Sequence, residues 1–292
     1  MAVDFTLRIG DKVALVAPAS GQKKTQPDWL EKSVNLLQDW GLVVELLPKF
    51  SSNIGYLSAT DRLRANSLIQ ALSEPDIRAV FATRGGYGCA RLLPYLRAIV
   101  VPTPRFLIGF SDITTLHLHF ADTANVISLH APNLSTEQLL ADKQWAKDNA
   151  DALHRALFGN HLPALTMMPL SGTRVDSQHR VDWHNAVYVG GCLSLLVTSL
   201  GTAHEIDTQD KILMIEEIGE SPYKLDRMLT HLRNAGKFER VAAVVFGEMV
   251  NCQTATIDWH DVLINFFAGA AFPVFIHADF GHGEINLPWH YG

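Results

Sequence analysis

Short apolar runs and helix-spaced segments take turns through the first 130 residues or so, and no other feature constrains the fold as much. Residues 12–20 start as an apolar run and end in turn chemistry, which reads as a buried first strand. A helix is expected near 28–40, with Leu30, Val34, Leu37 and Trp40 at helical spacing and Gly41 as the stop. Residues 43–47 form the next strand. Ser58-Ala59-Thr60-Asp61 has the form of a capping box with aspartate in place of glutamate. The helix it opens carries Leu68, Ile69 and Leu72 and breaks at Pro75. Residues 77–83 make a third strand, followed by Arg84-Gly85-Gly86-Tyr87-Gly88 and a helix with Leu92, Leu93 and Leu96. Further strands are expected at 106–109 and 126–130. Short connections between strand and helix predict parallel pairing with right-handed crossovers. Ligands of such sheets sit beyond the carboxyl ends of the strands, where both the 84–88 loop and Ser111 fall.

The alternation lapses between about 148 and 180. A helical piece at 150–158 is followed there by Gly159, Pro163, Pro169 and Gly172, the composition of a passage between domains. Three parts are therefore expected: an N-terminal domain at 1–158, a linker at 159–180 and a second domain at 181–292. In the second, 186–191 is a strand with a glycine turn, and the apolar run 192–200 is helical or extended. A strand at 212–217 ends in Glu216-Glu217, and Ser221-Pro222 opens a helix that Gly236 closes. Strands at 241–246 and 274–276 flank a helix near 259–268.

With 48% hydrophobic and 18% charged residues, the 292-residue chain has ample material for a core. A net charge of −6 argues against nucleic acid or an anionic membrane as the main partner. Cys89, Cys192 and Cys252 are widely spaced without a CxxC, so neither a disulfide framework nor a zinc knuckle is implied. No basic segment leads into a long apolar run at the N-terminus, and no stretch approaches the roughly 18 apolar residues of a membrane helix. The expected setting is cytoplasmic.

The chemistry centres on Ser111. Residues 106–109 read as the end of a buried strand and 113–120 as an amphipathic helix, which leaves Ser111 at the corner. Backbone N–H groups at a helix start can face a developing negative charge there. Ile113 stands where a Gly-x-Ser-x-Gly elbow has its second glycine, and the plain alternative is that Ser111 caps the helix. As a nucleophile, the serine needs a histidine to take its proton, an acid to fix the imidazole tautomer and two N–H groups for the oxyanion. Gly85 and Gly86 suit close backbone approach, or else form an ordinary turn. Glu216 and Glu217 alternate along their strand, so one faces the ligand side and periodicity leaves open which. The alternative for either is a solvated strand-end carboxylate. Of 13 histidines, His282, between two glycines, is the best placed, whereas His117 and His119 read as packing or surface residues. His277 and Asp279 with His282 can be drawn as a metal site, but the spacing matches no strong zinc pattern.

The ordered set Arg84-Gly85-Gly86-Tyr87-Gly88, Gly109-Phe110-Ser111-Asp112, Glu216-Glu217-Ile218-Gly219-Glu220, and Gly281-His282 before Leu287-Pro288 resembles the LD-carboxypeptidase family. These are the muramoyltetrapeptide carboxypeptidases, with the microcin C self-immunity peptidases as relatives. The resemblance implies an α/β fold: an N-terminal parallel-sheet (flavodoxin-like) domain joined to a smaller, β-rich C-terminal domain, commonly as a homodimer. It implies a serine peptidase without metal or other cofactor, in which Ser111 is the nucleophile, Glu216 the orienting acid and His282 the base. The N–H groups of Gly86 and Asp112 would form the oxyanion hole. Beside the resemblance, Arg84 and Gly85 are candidates for contact with the substrate, Arg84 on charge alone, its alternative being a salt bridge that holds the loop. The implied reaction removes the terminal D-alanine from a murein tetrapeptide during cell-wall recycling. Departures from the family pattern are Cys192 in place of asparagine, Ala131 in place of the glycine of His-Gly-Pro, and an end at Gly292 where relatives continue with a short strand pair. A related peptidase acting on a peptidyl-nucleotide, or a non-catalytic muropeptide-binding protein, is the alternative.

Overall fold

The computed structural model describes residues 5–23, 25–47, 54–159, 161–173 and 181–292. It divides into two compact units, Ala2–Pro163 with Leu287–His290, and Ala164–Asn286 with Tyr291–Gly292.

The first unit turns the sequence alternation into a wound sheet. In order it contains β1 (Lys12–Val16), α1 (Trp29–Asp39), β2 (Val43–Leu46), α2 (Asp61–Ser73), β3 (Ile77–Ala82), α3 (Leu93–Leu96), β4 (Arg105–Gly109), α4 (Thr114–Phe120), β5 (Val126–His130), α5 (Glu137–Leu140) and α6 (Gln144–Gly159). Strands β2-β1-β3-β4-β5 lie in that spatial order, all parallel, which is the flavodoxin-like arrangement. The central strands β1, β3 and β4 are buried on both faces because helices cover both, whereas the edge strand β2 is half-buried to exposed. Val16, Val80 and Leu107 pack with Leu68, Leu72, Leu116 and Phe120 on one side. Leu15, Phe81 and Ile108 pack with Leu37, Leu139, Leu153 and Leu157 on the other. Strand order reverses between β1 and β3, so the loops leaving those strands flank the crevice where such sheets hold ligands.

The second unit comprises β6 (Met168–Pro169), β7 (Tyr188–Cys192), α7 (Leu193–Ser199), β8 (Ile212–Ile218), α8 (Pro222–Asn234), β9 (Ala243–Val250), α9 (Trp259–Phe266) and β10 (Val274–Ile276). Its sheet runs β6-β10-β9-β8-β7, parallel throughout except for the β6–β10 pair. Leu225, Leu229 and Leu232 of α8 and Leu193 and Leu196 of α7 are fully buried, as are the apolar residues of β8 from Ile212 to Ile215. The run 192–200, ambiguous by periodicity, is a helix. The chain returns to the first unit at Leu287–His290, and β11 (Trp289–Tyr291) edges the first sheet beside β5.

One expected cap moves. Thr60, not Ser58, is the N-cap of α2, its hydroxyl accepting from Leu63 N–H at 3.4 Å. Ser58 donates its hydroxyl to Ala17 O at 2.6 Å and so holds the exit of β1. The other end of α2 is closed from β4. Fully buried Arg105 donates Nη1 to Ala71 O (3.2 Å) and Glu74 O (2.7 Å), and Nη2 to Thr103 Oγ1 (2.8 Å). Ala71 O and Glu74 O are carbonyls that a helix end leaves without intrahelical partners. Arg105→Met keeps much of the volume, strands Ala71 O and leaves Glu74 O with the Ile77 N–H alone of its two donors. It is expected to cost roughly 2–4 kcal/mol, read as a lowered urea midpoint with an unchanged m value.

Candidate functional site

Within the first unit, β4 leaves the sheet at Gly109 and the chain turns at Ser111, whose φ is +65°. A side-chain-bearing residue there costs about 1–3 kcal/mol and persists only where the surroundings over-determine it. A capping serine would instead be extended. The N-caps of the 3-10 turn Ser111–Ile113 and of α4 are Phe110 and Ile113, so Ser111 is not a helix cap.

The loop after β3 lies against this turn. A Cβ on Gly85 would stand 2.9 Å from Ser111 Cβ and 3.1 Å from its Oγ, so only glycine permits the approach. Gly85 O accepts from Ser20 N–H (3.2 Å), which ties the loop to the exit of β1. Asp112 is buried, and its Oδ2 accepts from Cys89 N–H at 2.8 Å, which fastens the turn to the far end of the same loop. Burial pushes the Asp112 carboxyl up against the opposing pull of that hydrogen bond. Buried Arg64 spans the neighbouring carbonyls, donating Nη1 to Pro18 O and to Gly88 O (3.0 Å) and Nη2 to Asp61 (2.6 Å). Arg84 is half-buried and donates to Gly21 O at 3.0 Å.

Two residues outside the expected site support the turn. His117 is fully buried, with Nε2 2.9 Å from Gly109 O. Burial pushes its pKa down to about 4, so the ring is neutral, and facing a carbonyl oxygen Nε2 must carry the proton. Asn133, buried just beyond β5, accepts from Phe110 N–H through Oδ1 and donates Nδ2 to Phe110 O, both at 3.3 Å. One cue was the apolar stripe of α4, which places His117 inward. Nothing in the sequence marks Asn133.

Within the second unit, His282 Nδ1 lies 2.5 Å from Glu216 Oε2. Glu216 has no exposed side-chain surface and His282 retains 14%. The other Glu216 oxygen, Oε1, is buried without a hydrogen-bond partner among the described residues. Burial pulls the His282 pKa down, but the charge and hydrogen bond of Glu216, helped by the Glu217 charge, outweigh it and hold the pKa above its ordinary 6.5. The approach depends on Gly281, at φ +112°, where a Cβ would stand 2.8 Å from Glu216 Cβ. Gly281 N–H donates to Oδ1 of fully buried Asn286 at 3.0 Å, which holds the loop in place.

Glu217 is also buried, not solvated. Its Oε2 accepts from Ser194 N–H (2.7 Å), and its Oε1 from Ile218 N–H (2.9 Å) and the Cys192 thiol (3.4 Å). The β8–β9 register shifts between Ile215 and Glu217, and that irregularity falls where the paired glutamates stand. Cys192 is thus a partner of Glu217. His277 Nε2 meets His260 Nε2 at 2.8 Å, and Asp279 accepts from Thr166 N–H at 3.0 Å. Among the described residues no group of three or more His, Cys, Asp or Glu is placed to hold a metal ion, and no helix is long and apolar enough to cross a membrane.

The structure thus sets Gly85 against Ser111, and Asp112 against the 84–88 loop, in one unit, and pairs Glu216 with His282 in the other. The sequence matches the N-terminal domain of LD-carboxypeptidases over residues 13–131 and their C-terminal domain over 185–292. By class the protein is a peptidase. It is 30% identical to the murein tetrapeptide carboxypeptidase of Pseudomonas aeruginosa, over 97% of this chain and 92% of that protein. It is likewise 30% identical to a probable murein peptide carboxypeptidase of Bacillus subtilis, over 96% of this chain and 86% of that one. Its fold is that of MccF solved in complex with glutamyl sulfamoyl guanosine, at a TM-score of 0.83 and 20% identity, covering 100% of this chain and 94% of the other. The chain belongs to the LD-carboxypeptidase family.

The pair in the second unit has a pH signature. The His282 imidazole is expected to titrate above 6.5 by NMR, and Glu216→Gln is expected to lower that value because burial then acts without the opposing charge. Because the folded-state pKa is raised, the stability this contact contributes is complete below the unfolded value. It fades as pH rises through the folded value. Gly281→Ala, which forces Glu216 aside, should lower the titration midpoint as well.

Proposed function

We propose that the protein is a metal-independent serine carboxypeptidase that removes the terminal D-alanine of murein tetrapeptides. The observation that carries the reading is the buried Glu216–His282 contact. With Nδ1–H donated to Oε2, the neutral imidazole presents its Nε2 lone pair as a base, the role a hydrolytic histidine needs. Ser111 Oγ attacks the scissile carbonyl, and His282 Nε2 takes its proton. The oxyanion is held by the N–H groups of Gly86 and Asp112. The proton passes from His282 to the departing D-alanine amine, and a water molecule, deprotonated by the same imidazole, releases the acyl group. Arg84 and Gly85 contact the substrate in this reading, Arg84 by its charge toward the terminal carboxylate.

Support comes from three sources: the left-handed backbone at Ser111, the raised His282 pKa and the peptide substrates in the names of the relatives. Family resemblance adds a cytoplasmic homodimer that serves peptidoglycan recycling.

Purified protein is expected to release D-alanine from L-Ala-γ-D-Glu-meso-diaminopimelate-D-Ala, at a rate unchanged by chelator. Ser111→Ala should lower kcat by on the order of 10⁴-fold or more. Tight binding of the peptide with no product over a day would indicate a binding protein instead. Faster cleavage of a peptidyl-nucleotide in parallel assays would move the substrate class.

A further inference from the structure

The left-handed turn at Ser111 requires something to hold it, and the ladder of the sheet stops one residue short. The last β4–β5 register pair is Gly109 with His130, and Ala131 N–H still donates to Gly109 O at 3.2 Å. Pro132 follows, with no N–H to continue the ladder. Phe110, directly before Ser111, is extended at φ −150°. Its backbone is met by a side chain: Asn133 takes the Phe110 N–H on Oδ1 and gives Nδ2–H to Phe110 O. Only one amide orientation satisfies both contacts.

The same amide fills the space beneath two glycines. A Cβ on Gly109 would stand 2.7 Å from Asn133 Oδ1, and one on Gly85 would stand 3.3 Å from Nδ2. Those are the glycine that precedes the turn and the glycine that lies against the Ser111 side chain. Asn133 is itself fixed, since Thr136 Oγ1 donates to Asn133 O at 2.7 Å, while Leu134 N–H and Ser135 N–H donate to Ala82 O (3.1 Å) and Thr83 O (2.8 Å). The segment 131–135 thus crosses the ends of β4 and β3 with the amide of Asn133 at its centre.

We infer that Asn133 is a positioning residue for the nucleophile, its side chain acting as an added rung of the sheet that fixes where Ser111 Oγ points. The inference rests on the serine-nucleophile reading above. It does not require the murein substrate, because a fluorophosphonate reports Ser111 reactivity without any peptide.

The test compares Asn133→Ala and Asn133→Asp with wild type by fluorophosphonate labelling rate, kcat and KM, at equal folded fraction by circular dichroism. Labelling rate and kcat should fall together by about 10²-fold, the scale of an ångström-sized misplacement, with KM within about threefold. Asn133→Asp supplies the decisive readout. A protonated carboxyl can accept from Phe110 N–H and donate to Phe110 O, the same pattern as the amide, whereas a carboxylate faces that carbonyl with no proton to give. The ratio of its labelling rate to that of wild type should therefore rise as pH is lowered. A role confined to stability would leave this ratio flat once the folded fraction is matched. Folded variants that label and turn over within threefold of wild type, or a ratio flat with pH, overturn the proposal. If Asn133→Ala fails to fold, the pH ratio of Asn133→Asp decides. Wild type that labels at Ser111 but releases no D-alanine overturns the murein reading alone, and Asn133 is then judged on labelling. Wild type that neither labels nor turns over ends both.

Discussion

A parallel sheet leaves its carboxyl edge with strand ends whose backbone N–H and C=O groups have lost the ladder, and buried groups of that kind must find other partners. In the first unit nearly every special residue answers this demand. Ser58 holds Ala17 O, Arg64 holds Pro18 O and Gly88 O, Asp112 holds Cys89 N–H, and His117 holds Gly109 O. Buried Ser135 meets both Gln22 and Ser33 through its hydroxyl. Most of these contacts link residues distant along the chain, which is why the loops around Ser111 have defined shapes although they lie outside regular structure. A left-handed serine is tolerable only on such a foundation.

The second unit solves a different problem. A fully buried carboxylate is costly unless it is paired, and among the described residues Glu216 is paired through one oxygen, with His282. Its neighbour Glu217 is buried too, but is covered by two backbone N–H groups and a thiol. The contrast assigns different physical roles to adjacent, chemically identical side chains. Glu217 is spent on local structure at the β7–α7 junction, whereas the charge of Glu216 acts mainly on one imidazole.

Much of the architecture was legible because periodicity reports burial directly. The alternation from β1 to β5, the Pro222 start of α8 and the strand at Val274–Ile276 follow from local pattern. Most departures share a cause, since they depend on contacts distant along the chain. Ser58 looks like a cap until the exit of β1 is seen to need its hydroxyl. Alternation sends Glu216 and Glu217 to opposite faces and leaves open whether either is solvated; both faces of β8 are covered, so both are buried. Asn133 sits 23 residues from the Phe110 backbone it holds, with nothing around it to distinguish it from an ordinary loop asparagine. His117 lay in plain view on an apolar stripe, yet its use depends on the Gly109 carbonyl facing it.

Two forms of stored free energy can therefore be assigned separately. The left-handed backbone at Ser111 is flanked by Gly85, Asn133 and Asp112, all within the first unit. The upward pull on the His282 pKa comes from Glu216 and Glu217, and the close approach is permitted by Gly281, all within the second. An unusual backbone conformation and an unusual proton affinity are demanding to create at one point, since each needs dense, specific packing on all sides. Dividing them lets each unit complete its own requirement by ordinary folding. It also accounts for the two main motif clusters, one ending at Asp112 and one beginning at Glu216.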